Sequence, residues 1–182
     1  MYGMEVHIFM IKIAVTGHRP NKLWGYNYND YHYYKLKDIF KNYIINAINN
    51  EEDKSAEIIT GMAIGVDTIF AIAAIELKND GYNIKLVCAV PFKGQESKWP
   101  IESQKLYNNI LNKADEVIIV SYGNYAAWKM QKRNEYMIDR LSNDNDFLIA
   151  VWDGSSGGTA NCIKYTKNMN KNIIHIDPYN IK

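Results

Sequence analysis

The sequence predicts a single Rossmann-like α/β domain built on a doubly wound, mostly parallel sheet of about six strands. Short apolar runs rich in β-branched residues alternate with helical segments along the whole chain, which favours an α/β sandwich. Most of these runs are apolar throughout, as is typical of strands covered on both faces. A chain of 182 residues suits one well-cored domain and is short for two.

The apolar runs and the segments between them give the elements in order. The predicted strands are Ile11–Thr16, Glu57–Thr60, Ile84–Val90, Glu116–Val120, Phe147–Val151 and Asn172–Ile176. The predicted helices cover about 30–49, 66–79, 101–112, 126–141 and 159–168, and the second has apolar residues at helical spacing, such as Val66, Ile69, Phe70 and Ala73. The domain spans 1–182, with residues 1–9 interpreted as a short extension or an upstream start.

Composition and charge exclude several classes of protein. The net charge is +1, whereas proteins that depend on phosphate-backbone contacts usually carry a clear basic excess, so nucleic acid is not the expected partner. No apolar run approaches the ~20 residues of a membrane span, and no secretory signal is recognisable. Cys88 and Cys162 fit no zinc spacing and the four histidines are scattered, so we expect no metal and a reduced, cytoplasmic setting.

The candidate site lies where the predicted strands end, because ligands of open parallel sheets bind outside the carboxyl ends of the strands. Glycine, small and polar residues follow five strands in turn. These segments are Thr16–Pro20, Gly61–Asp67, Pro91–Gln95, Ser121–Tyr125 and Trp152–Thr159. Since all five would meet on one edge of the sheet, they predict one coherent pocket.

Two of these loops favour a phosphate. Gly61–Gly65 and Gly154–Thr159 each lead directly into a predicted helix, where glycines allow close backbone approach and free N–H groups favour an anion. Tight strand-to-helix turns are the alternative interpretation of both loops. Neither is a dinucleotide fingerprint or a Walker A loop.

Charged and aromatic groups beside the loops complete the predicted site. Arg19 suits a phosphate or carboxylate, His18 suits acid–base work or a structural hydrogen bond, and Asp67 suits a ribose or its own helix N-terminus. Trp24, Trp99, Trp128 and Tyr125 could stack a base or pack in the core. The predicted ligand-binding residues are Thr16, Gly17, His18, Arg19, Gly61, Met62, Ala63, Gly65, Asp67, Pro91, Phe92, Lys129, Arg133, Asp153, Gly154, Ser155, Ser156, Gly157, Gly158 and Thr159.

Five motifs follow one another along the chain: T-G-H-R-P at 16–20, G-M-A-I-G-V-D at 61–67, P-F-K-G-Q-E-S-K-W-P at 91–100, K-M-Q-K-R-N at 129–134 and W-D-G-S-S-G-G-T-A-N at 152–161. In this order they resemble the SLOG superfamily, with the YspA-like branch closest. The resemblance covers about Ile11 to Pro178. It implies a Rossmann-like fold, homo-oligomers such as dimers or tetramers, and a nucleotide-derived ligand of the ADP-ribose type, with no required cofactor. Relatives include the LOG phosphoribohydrolases and the DNA-processing protein DprA.

The resemblance also bears on catalysis. Met130–Arg133 matches the M-x-x-R motif of the LOG enzymes, which implies a catalytic role for Arg133 if the chain is an enzyme. The glutamate of the LOG glycine loop is replaced by Asn161, and a neutral amide stabilises an oxocarbenium-like transition state poorly. We therefore expect a protein that holds a nucleotide signal, as sensor or as sequestering protein, with a phage origin favouring sequestration in an infected bacterial cell.

Three alternatives remain. An N-glycosidase acting on nucleoside monophosphates would need another carboxylate, from Asp67, Asp153 or Glu96. The second alternative is a nucleic-acid binder like DprA, which the net charge disfavours. The third is an interaction protein with an unused pocket.

Overall fold

The computed structural model describes residues 10–182, and the proposed extension 1–9 lies outside them. The strands are β1 Ile11–Gly17, β2 Ser55–Thr60, β3 Asn83–Val90, β4 Glu116–Ile119, β5 Phe147–Val151 and β6 Asn172–Ile176. The α-helices are α1 Tyr31–Asn50, α2 Val66–Asn79, α3 Ile101–Lys113, α4 Ala127–Asp139 and α5 Gly158–Asn168, with 3-10 turns at Pro20–Lys22 and Pro178–Asn180. The predicted alternation of strands and helices is confirmed.

All six strands form one sheet in the order β4-β3-β2-β1-β5-β6. Every pairing is parallel, so the sheet is entirely rather than mostly parallel. β2 begins two residues before its predicted start, because Ser55 and Ala56 pair with Asn83 and Ile84. β1 lies between β2 and β5, and the chain winds outward from it in both directions. The crevice between β1 and β5 is therefore the switch point of the sheet.

The helices cover the two faces of the sheet with separate apolar layers. One layer joins α1, α2 and α3 to alternate residues of the strands, such as Ile13 of β1 and Ile58 of β2. The other joins α4 and α5 to the intervening residues, such as Ala14 and Ile59. Burial on both faces explains why these strands carry unbroken apolar runs. Within residues 10–182, no helix has the length and apolarity needed to cross a membrane.

α2 is the helix that connects the core to the site. It packs on the sheet between α1 and α3, with Phe70 fully buried and in edge-to-face contact with Phe40 at 5.1 Å between ring centroids. Its first residues follow the Gly61–Gly65 loop directly. Packing of α2 therefore fixes the loop at its N-terminus.

Phe70→Ala should lower the free energy of unfolding by about 3–5 kcal/mol, because it leaves a cavity in the α1–α2 layer. Denaturant unfolding followed by circular dichroism measures the change. Tyr34→Ala, on an exposed position of α1, is the matched control and should shift the free energy of unfolding by about 0.5 kcal/mol or less. Equal stability of the two variants would contradict this packing.

Candidate functional site

A cavity of about 370 Å³ lies at the switch point, outside the carboxyl ends of β1 and β5. Its size is within the usual range for small-molecule sites. Twelve of the predicted ligand-binding residues line it, together with four others. The twelve are Thr16, Gly17, His18, Arg19, Ala63, Asp67, Arg133, Ser155, Ser156, Gly157, Gly158 and Thr159.

A buried ion pair forms one wall of this cavity. Arg133 of α4 and Asp67 of α2 are both buried, and Arg133 Nη1 lies 3.8 Å from Asp67 Oδ2. Arg133 also donates from Nη1 to the carbonyl oxygen of Gly61 and from Nε to Asn134 Oδ1 at 2.9 Å. Burial raises the pKa of Asp67 and lowers that of Arg133, and the attraction between the two opposes both shifts.

Two glycines permit the close contacts of this wall. A Cβ on Gly61 would lie 2.6 Å from Cδ of Arg133, so a side chain there displaces the guanidinium. Gly65 has φ +111° and passes so close to the first strand loop that a Cβ would lie 2.6 Å from the His18 carbonyl oxygen. Both glycines therefore belong to the frame of the site rather than to its lining.

Most backbone donors of the Gly61–Gly65 loop form hydrogen bonds within the protein. Gly65 N–H donates to the Tyr28 hydroxyl at 2.9 Å, and Ala63 N–H donates to Asp67 Oδ2 at 3.3 Å. Val66 N–H donates to the His18 carbonyl at 3.3 Å. Met62 is fully buried and has a left-handed φ of 54°. This loop positions Asp67 and Arg133, and the amides of Ala63, Gly65 and Val66 are already bonded to the protein where the sequence predicted a phosphate.

The second glycine loop presents free donors instead. The backbone N–H groups of residues 156–160, at the start of α5, make no hydrogen bond within residues 10–182. Gly154 and Gly157 have φ values of +89° and +141°, which turn the chain from β5 into α5. Because the cavity is lined by 155–159, the positive end of α5 opens onto it.

Two more cations border the cavity beside this helix N-terminus. Lys22 Nζ donates to Ser155 Oγ at 2.8 Å. The exposed Arg19 side chain makes no hydrogen bond or ion pair with the described part of the chain. With Arg133, the described lining carries three cations and a single carboxylate, Asp67. The cavity is therefore electrostatically suited to an anion.

His18 and Asp153 connect the ends of β1 and β5. His18 is buried, and its Nε2 lies 2.7 Å from Asp153 Oδ1. Hydrogen bonds from the Ser155 side chain and backbone, with further help from His18, hold the pKa of Asp153 well below its usual range. An ionised Asp153 orients the imidazole at the cavity wall, which gives His18 a structural role in joining the two loops.

Eight predicted site residues do not line this cavity. Gly61 and Asp153 form hydrogen bonds with the lining residues Arg133 and His18. Met62, Gly65 and Gly154 lie within two positions of a lining residue in the sequence. Phe92 lines a neighbouring cavity, next to buried Pro91. The remaining one, Lys129, is buried, and its ammonium donates to the carbonyl oxygens of Tyr122, at 2.6 Å, and Asn124. Lys129 therefore holds the loop between β4 and α4 instead of facing the cavity.

Asn161 also lies away from the switch point. It is exposed and lines a small separate cavity with Gln131 of α4. The next residue, Cys162, is fully buried and interacts with Thr16 and Arg133. Burial raises the pKa of its thiol to about 11. At neutral pH the Cys162 thiol is therefore protonated and adds no negative charge beside Arg133.

Four residues of the cavity were missed from sequence: Asn21, Lys22, Met130 and Asn134. Met130 and Asn134 lie one helical turn apart and flank Arg133 on α4, so helical spacing around Arg133 was the available signal. Asn21 and Lys22 lie in the 3-10 turn after the Arg19 loop, and no periodic pattern marks such a turn.

Comparisons with known proteins agree with the fold. The sequence profile of the YspA SLOG family matches residues 13–182. A SPbeta prophage-derived protein of Bacillus subtilis, YoqJ, is 38% identical over 73% of this chain and 81% of its own length. A UPF0398 protein of Brevibacillus brevis is 27% identical over 94% of this chain and 90% of its own. The crystal structure of the structural genomics target TM1055 superposes with a TM-score of 0.53, at 14% identity, over 90% of this chain and 72% of that chain.

Gly65→Ala should destabilise the protein more than Gly81→Ala. Both glycines have positive φ, +111° and +96°, but only at Gly65 does the new Cβ meet backbone. Gly81→Ala should therefore show only the cost of its φ, about 1–2 kcal/mol, and Gly65→Ala a larger loss. Chemical denaturation of both variants measures the difference. A Gly65→Ala protein as stable as the Gly81→Ala protein would contradict the close approach to His18.

Proposed function

This chain belongs to the YspA SLOG family, and we propose that it binds a nucleotide or nucleotide-sugar in the cavity at the switch point. The free N–H groups of residues 156–160 are the observation that carries the proposal. An unpartnered row of amides at a helix N-terminus favours an anion, and the surrounding cations Arg19, Lys22 and Arg133 favour the same occupant. A phosphate group can accept hydrogen bonds from the amides and neutralise the cations.

The biological role we propose is to hold a signal of the ADP-ribose or NAD-derived type, as a sensor or a sequestering protein. Resemblance to the SLOG superfamily supports this ligand class. The prophage-derived relative in Bacillus subtilis supports a phage origin, for which sequestration of a host defence signal is the natural role. We place this role in the bacterial cytoplasm and in a homo-oligomer, which are expectations of the same resemblance.

A second candidate function, N-glycosidic cleavage of nucleoside monophosphates, is favoured by Asp67. Its buried carboxyl is the one acidic group that the described residues place on the cavity, and burial raises its pKa. A carboxyl in such a setting can assist cleavage of a glycosidic bond. Of the other carboxylates considered, Asp153 is engaged by His18, and Glu96 is absent from the described lining of the cavity.

Gly158→Pro tests the amide donors at the start of α5. Gly158 is the first residue of the helix, where proline is tolerated but removes one N–H. We expect ADP-ribose affinity to fall about 10- to 100-fold, since a charge-assisted hydrogen bond contributes about 1.5–3 kcal/mol. Isothermal titration calorimetry measures the affinity.

Gly158→Ala is the matched control, because it keeps the N–H and its Cβ meets no atom within 4 Å. Its affinity should stay within about twofold of the parent protein. If Gly158→Pro leaves the ADP-ribose affinity unchanged, the phosphate does not bind at the N-terminus of α5. If the parent protein binds neither ADP-ribose nor any mononucleotide, the proposed function is wrong.

Asp67→Asn separates holding the nucleotide from cleaving it. If the protein cleaves, the parent releases free base from AMP, and the variant should lose at least about 100-fold in rate, as expected for removal of a general acid–base group. Chromatography of the products detects the base. A parent protein that binds AMP but releases no base would leave binding as the function of the site.

A further inference from the structure

A second cavity adjoins the one at the switch point, and its lining is aromatic and cationic. It measures about 570 Å³ and is formed by the loop after β3 and the loop before α4. Phe92, Trp99 and Tyr125 supply its rings, and Lys93 and Lys98 supply charge. No carboxylate of residues 10–182 lines it.

The two cavities meet at two shared residues. Arg19 and Met130 line both. Arg19 projects from the loop after β1, and its exposed side chain makes no hydrogen bond or salt bridge within residues 10–182, while its charge acts on the Asp67 carboxyl. Met130 supplies an unbranched, adaptable apolar surface between the cavities. A single elongated ligand can therefore pass from one cavity to the other along Arg19.

The aromatic groups of the second cavity are available to a ligand. Tyr125 is 69% exposed and touches Phe92 by an edge contact, with ring centroids 6.0 Å apart. Trp99 is half-buried and is fixed by an edge contact with Tyr107 at 5.4 Å. Lys129 binds the carbonyl oxygens of the loop that carries Tyr125. These contacts hold a pair of rings in place while leaving ring surface open.

The occupant follows from these groups. A planar heterocycle stacks on exposed aromatic side chains with little dependence on its identity, whereas Lys93, Lys98 and Arg19 attract negative charge. Apolar amino acids or lipids would not make use of this charge. We propose that the second cavity binds the base of a nucleoside diphosphate group, whose phosphates run past Arg19 to the N-terminus of α5. This assignment rests on the proposed function, which supplies the phosphate site.

ADP and inorganic pyrophosphate form the matched pair of probes, since they differ by the adenosine alone. Calorimetric titration into the full chain should give tighter binding for ADP than for pyrophosphate. Tyr125→Ala should weaken ADP about 5- to 100-fold, the usual effect of removing an aromatic stacking group, and leave pyrophosphate within about twofold. Tyr179→Ala is the control, because this tyrosine is 72% exposed and lines neither cavity.

Trp99→Phe gives an independent measurement that keeps an aromatic ring in place. ADP should quench the tryptophan fluorescence of the parent protein, pyrophosphate should not, and the variant should lose most of the quenching. If pyrophosphate binds while ADP binds no tighter, or if Tyr125→Ala weakens both probes equally, the second cavity is not a base site and the phosphate site stands alone. If neither probe binds, this inference is wrong, and the titration with ADP-ribose and mononucleotides decides the proposed function separately.

Discussion

The site depends on one buried charge, the guanidinium of Arg133. Removing a cation from water is costly unless it is paired and hydrogen-bonded, and here the Gly61 carbonyl, the Asn134 amide and the Asp67 carboxylate share that task. These partners come from the loop after β2, from α4 and from α2, so the arginine joins both helical layers at the carboxyl edge of the sheet. The absence of a side chain at Gly61 is a condition of the arrangement.

The two glycine loops resemble each other in sequence but play different parts. Both lead from a strand to a helix, yet the amides of Ala63, Gly65 and Val66 bond to the protein and those at 156–160 do not. The difference arises from long-range partners, the Tyr28 hydroxyl and the His18 carbonyl. No local pattern reveals such partners, which is why sequence analysis gave both loops the same role.

The fold was largely predictable, because burial on both faces of a parallel sheet leaves a strong signal in the sequence. The apolar runs located all six strands, and the position of Arg133 on the cavity followed from its motif. Lys129 shows where this reasoning ends: its charge suggested a ligand, but its ammonium is held by backbone carbonyls. Likewise, motif alignment pointed to Asn161, whereas the helix turns Cys162 toward Arg133. Side-chain direction needs the three-dimensional structure.

The open amides of α5 also bear on how such a site changes through evolution. A ligand held by backbone N–H groups is recognised by the path of the main chain, so a side chain such as that of Ser156, which makes no hydrogen bond within residues 10–182, can vary as long as the turn persists. Selection then acts on Gly154 and Gly157, because the lack of a Cβ at these positions permits their positive φ angles. Related proteins could exchange one phosphorylated ligand for another by altering the surrounding walls, while the anion-binding turn stays the same.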